Sequence, residues 1–96
     1  MMEFNSIDAV REEIDKVDQQ VVALIARRGE CVKAAAQFKQ DRAAVRAPDR
    51  VQQVIDKVKG QAKVQGLPEE IIEQVYRAMI TAFIDYELQQ HSELKA

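Results

Sequence analysis

Arg28 stands where an apolar side chain belongs. Val10, Ile14, Val17, Val21 and Leu24 follow one another in steps of four and three, and Cys31, Ala35 and Phe38 resume the series after a gap at position 28. Such a 3.5-residue repeat is the seam of a helix lying along other helices, so the spacing predicts a guanidinium at a buried interface. A buried charge is costly unless an anion meets it. Arg28 therefore pairs with an internal carboxylate, runs out to water along Ile25 and Val32, or awaits an anionic ligand. Lys39 adds weight to the ligand. It lies eleven residues further on, about three helical turns and roughly 16 Å of rise, so the two side chains can converge on one small molecule. Arg11 shares the heptad column of Lys39 but precedes Arg28 by seventeen residues, roughly 25 Å along the axis and out of reach within one straight helix. In an antiparallel dimer, Arg11 of one chain meets Arg28 and Lys39 of the other. Arg50, at the start of the next helical stretch, can fold over the same place. Four cations around one cavity suit a small dicarboxylate, which guanidinium forks grip bidentately. Taken singly, Arg11 and Arg50 read better as solvated surface.

Near the C-terminus the anomaly has the opposite sign. Glu87 continues the stripe of Tyr76, Ile80 and Phe83 by one further turn and so points inward. It is either the counter-ion of Arg28, with no further role, or a desolvated carboxyl that in its protonated form donates a hydrogen bond to a substrate oxygen. Spacing alone leaves both open. Other chemistry-bearing residues fade. Cys31 reads as a small apolar filler of the seam, where a thiol is inert. His91 has no second ligand at metal spacing, so no metal site is expected. The basic run Lys39, Arg42, Arg46 and Arg50 is interrupted by Asp41 and Asp49 and has no interleaved aromatics, which argues against nucleic acid.

The elements that must position these residues are helical. No Pro interrupts the seam from about residue 7 to about 40, and Asn5 or Ser6 can cap its start; such a helix is on the order of 50 Å long. A chain of this size cannot cover both ends of that rod, so the long helix predicts a dimer. The stretch Gln40 to Pro48 breaks the heptad and reads as a loop. Pro48 suits the first turn of a second helix carrying Val51, Val54, Ile55 and Val58 and ending near Gly66. Pro68 opens a third, with Glu69 and Glu70 in its positive first turn and a stripe of Ile72, Val75, Tyr76, Met79, Ile80, Phe83 and Ile84, running to about residue 90. The expected fold is all-α, three helices in the order long, medium, long, within one domain spanning residues 1–96 with its core at about 7–90.

Composition agrees. With 96 residues, 47% hydrophobic and 31% charged, the chain is a small globular domain rather than a disordered one. Three Gly and two Pro are too few for the frequent turns of a sandwich or barrel. A single Cys excludes an internal disulfide and a Cys-rich zinc site. No apolar run approaches the roughly 20 residues of a membrane span, and the N-terminus has neither the basic start nor the apolar stretch of a signal peptide. A net charge of −2 draws the chain toward no nucleic acid. A cytoplasmic protein is expected, with no membrane partner.

Four ordered blocks resemble the all-helical chorismate mutase family: Val10-Arg11-Glu12-Glu13-Ile14-Asp15, Leu24-Ile25-Ala26-Arg27-Arg28, Val32-Lys33-Ala34-Ala35 through Phe38-Lys39, and Ala47-Pro48-Asp49-Arg50-Val51. The resemblance covers roughly residues 7 to 90 and is nearer to the isochorismate pyruvate lyase branch of salicylate biosynthesis. It implies an intertwined homodimer with two equivalent sites, each taking Arg11 from the partner and Arg28, Lys39 and Arg50 from its own chain. The polar residue of the family's third helix, commonly Gln and in some members Glu, falls at Glu87. Mutases of the family generally carry acidic residues around the helix-two arginine; here Ala47 and Val51 flank Asp49-Arg50. Together with bulky, apolar Phe83, this is closer to the lyase branch.

The resemblance implies a pericyclic enzyme without cofactor, acting on a small dicarboxylate. Elimination of pyruvate from isochorismate to give salicylate comes first, with some chorismate mutase activity. The alternatives are a chorismate mutase making prephenate, and a non-catalytic helical dimerisation or regulatory module. In these reactions Arg28 and the partner's Arg11 grip carboxylates, Arg50 assists, and Lys39 donates to the ether oxygen of the breaking bond. Glu87 donates to the same oxygen while protonated.

Overall fold

Ser6 begins the first helix as the spacing suggests. Its hydroxyl accepts the N–H of Ala9 at 3.1 Å, satisfying one of the free donors of a helix start. The computed structural model describes residues 3–39 and 41–95, with side-chain surroundings as far as Gln90. Gln40, the first residue of the stretch read as a loop, lies outside that description, as do the first two residues, Ala96 and the side chain of His91. The element order is α1 (Ile7–Ala36), α2 (Arg42–Arg46), α3 (Pro48–Val64) and α4 (Glu69–Lys95). The three long helices match the sequence reading, and no strand occurs among the described residues. None of the helices is long and apolar enough to cross a membrane.

Two compact units divide the chain, one reaching to Cys31 and the other beginning at Val32. The first is the greater part of α1. Its apolar seam is exposed: Ile14, Val17, Val21 and Leu24 are 45–59% exposed, and α1 has no buried residue. Cys31, read as a buried filler of the seam, is exposed too.

The second unit holds the core. Ile55, Val58 and Ala62 of α3, Ile80 and Leu88 of α4, and Val45 of α2 are its buried apolar side chains. α4 packs against both α3 and α2. Across the α3–α4 face, Lys59 Nζ lies 3.3 Å from Glu73 Oε1, and Arg77 holds the other oxygen of Glu73 at 2.9 Å.

The connections follow local chemistry. α3 stops because Gly66 takes φ +75°, the left-handed conformation that costs glycine least. The Leu67 N–H then reaches back to the Ala62 carbonyl at 2.9 Å and the Gly66 N–H to Lys63 at 3.2 Å, the paired bonds that close a helix C-terminus. The stretch read wholly as a loop contains α2, a single turn. Asp41 caps it, its Oδ1 accepting the Ala44 N–H at 2.8 Å, and Val45 anchors it at 2% exposure. Ala47 joins α2 to α3 at φ 37°. Its N–H donates to Ala43 and its carbonyl accepts from Val51, so one residue ends one helix and starts the next.

Candidate active site

The sequence puts Lys39 in a continuous helix running to about residue 40, and the structure corrects that. α1 ends at Ala36. The next three amides bond three residues back: Gln37 to Ala34 at 3.2 Å, Phe38 to Ala35 at 3.0 Å and Lys39 to Ala36 at 3.1 Å. This tighter winding, with three residues per turn, rotates the chain off the α-helical stripe. Phe38 consequently leaves the seam and stands 85% exposed, while Lys39 reaches α4.

There it meets Glu87. Lys39 Nζ donates to Glu87 Oε1 at 2.9 Å and to Oε2 at 3.3 Å. Glu87 is 5% exposed and Lys39 25%. The inward direction predicted for Glu87 is correct: it is seven residues, two turns, beyond buried Ile80. A carboxylate so buried costs several kcal/mol if left unpaired, and the ammonium across from it removes that cost. No buried side-chain nitrogen or oxygen lacks a partner among the described residues. Because Lys39 remains a quarter exposed, a ligand oxygen arriving from solvent can compete with Glu87 for the same ammonium. Such a pair can serve as a hydrogen-bond donor to an oxyanion.

Arg50 lies in the first turn of α3, exposed, with Nη1 donating to Gln53 Oε1 at 2.6 Å. Gln53 was not among the sequence candidates, although its i+3 spacing from Arg50 was a signal that it could hold the guanidinium. Arg11 and Arg28 belong to the unit that reaches Cys31: Arg11 is exposed and Arg28 partly buried. Within one unit, then, the structure joins Lys39 to Glu87 and sets Arg50 on α3. Among the described residues no group of His, Cys, Asp and Glu could hold a metal ion.

Val51 and Phe83, the residues that separated lyase from mutase in the sequence, are both partly buried. Comparison with known proteins adds the following. The chorismate mutase type II family matches residues 10–88, which include Arg11, Arg28, Lys39, Arg50 and Glu87. An isochorismate pyruvate lyase of Pseudomonas aeruginosa is 35% identical over 75 residues, covering 78% of this chain and 74% of that protein. A match over most of the chain, in a fold of three long helices with a lysine–carboxylate pair at its core, makes this protein a member of the chorismate mutase type II family.

Proposed function

We propose that the chain eliminates pyruvate from isochorismate to give salicylate, with some chorismate mutase activity beside it. The observation that carries this reading is the Lys39–Glu87 pair, an ammonium held at 2.9 Å by a buried carboxylate yet open to solvent on one side. The likeness to an isochorismate pyruvate lyase supports the choice of substrate. Both reactions hold a flexible dianion in its compact reactive shape and stabilise charge growing on an ether oxygen, which orientation and preorganised donors supply. Lys39 donates to that oxygen. Arg28 and Arg50 grip the carboxylates, joined by Arg11 of a second copy across the exposed apolar face of α1. The active form is a homodimer.

Glu87 enters as a donor only while protonated, and otherwise competes with substrate for Lys39. Glu87→Gln, which always carries amide donors, is therefore expected to keep or raise kcat. A kcat that falls steeply in Glu87→Gln refutes this role for Glu87.

The deciding experiment follows isochorismate and chorismate separately at about pH 5 and about pH 7.5. Salicylate forming much faster than prephenate is the expected result and makes Val51 and Phe83 the discriminating neighbours. Prephenate dominating makes the protein a mutase. No product from either substrate leaves the four cations as binding or structural residues.

A further inference from the structure

Arg50 is a cation in the wrong place for the helix that carries it. It lies in the first turn of α3, where the helix dipole is positive and favours an anion. Its long side chain has much rotamer freedom to lose on gripping a ligand. Yet it is held: Nη1 donates to Gln53 Oε1 at 2.6 Å, one turn further along α3, with both side chains exposed. The partner is neutral. A carboxylate at position 53 would also hold the guanidinium, but it would cancel the charge and compete with an incoming anion. The atom that Gln53 engages also matters. A guanidinium presents two forks, Nε–H with Nη2–H along its side and Nη1–H with Nη2–H at its end. A bond at Nη1 occupies a member of the end fork and none of the side fork. The neighbouring Gln52 is turned to another task, its Nε2 donating to Asp56 Oδ1 at 2.9 Å.

We infer that Gln53 is a positioning residue for Arg50, holding the guanidinium so that its side fork, Nε–H with Nη2–H, meets a substrate carboxylate. The inference rests on the grip of Arg50 on a carboxylate proposed above and adds the residue that readies it. Gln53 acts through Arg50 and touches no substrate atom. Ordering the arginine before the ligand arrives removes part of the cost of binding.

Gln53→Ala tests this, with Gln52→Ala as control and Arg50→Ala as background. Arg50→Ala is expected to raise KM about ten- to a hundredfold, and Gln53→Ala about three- to tenfold with kcat little changed. A loss confined to KM is what a weaker grip on substrate gives. Ala is the better helix former, so Tm holds and a change of fold does not produce the rise. Gln52→Ala leaves KM alone. Adding Gln53→Ala to Arg50→Ala changes nothing further, since the group it positions is gone. Unchanged KM in Gln53→Ala beside a raised KM in Arg50→Ala overturns the inference and leaves the functional reading standing. So does a rise that Gln52→Ala matches, which means a general effect of the α3 surface, or one that persists without Arg50, which means direct contact. Arg50→Ala without effect removes Arg50 from the site, and the role of Gln53 falls with it. If the chain converts neither chorismate nor isochorismate, the functional reading falls and the Kd for chorismate by calorimetry takes the place of KM. The same pattern of variants upholds the inference, and no binding overturns it.

Discussion

Lys39 and Glu87, forty-eight residues apart in sequence, form a contact in which each side chain needs the other. Lys39→Ala removes the proposed donor and leaves a buried carboxylate without its ammonium, so it is expected to abolish turnover and to lower stability by about 1–3 kcal/mol. Denaturant unfolding checks the second part, and Lys39→Ala combined with Glu87→Ala recovers some of that loss because no orphaned charge remains. The inward direction of Glu87 was legible from its two-turn spacing to Ile80. Its meeting with Lys39 was not, because the bond depends on three residues of tighter winding after Ala36 that no apolar period encodes. Arg50 was legible as a cation on the first turn of α3, but its hold on Gln53 depends on a side-chain rotamer.

Among the elements, the long helices were written in apolar spacing and in their stops. Gly66 is one such stop, and adding a Cβ there meets nothing within 4 Å. Gly66→Ala is therefore expected to cost about 1 kcal/mol from backbone conformation alone, lowering Tm by several degrees. α2 was missed for a physical reason: one turn has too few residues to show a period, leaving only the capping spacing of Asp41 as a signal. The α3–α4 tie gives a pH prediction. Hydrogen bonds from Arg77 and then Lys59 hold the Glu73 carboxyl below its ordinary value of 4.5. A depressed carboxyl contributes stability that is fully present above that value and is lost as pH falls through the lowered one. Thermal melts of Glu73→Gln and the unaltered chain should accordingly differ at neutral pH and converge in acid. The effect is small because the network is solvent-facing.

At the scale of the molecule, the question is what covers α1. Burying a Val or Leu side chain fully contributes about 1.5–3 kcal/mol, so a stripe left 45–59% exposed is a large unspent driving force. A second copy supplies a matching stripe. Sedimentation should give a mass near twice 10.9 kDa, and Tm should rise with protein concentration, since association favours the folded state. Leu24→Glu is expected to shift the population toward monomer and to cut activity with it. The long heptad made the exposed stripe readable, whereas the boundary between units after Cys31 left no mark in composition. α1 also precedes every element of the second unit in chain order. A ribosome adding about 5–20 residues per second needs a few seconds more to make α3 and α4. Under the proposed dimer, each newly made chain carries an exposed apolar helix until a second copy pairs with it. Yield in a host cell then depends on chaperone capacity and on how quickly the pool of finished chains builds up.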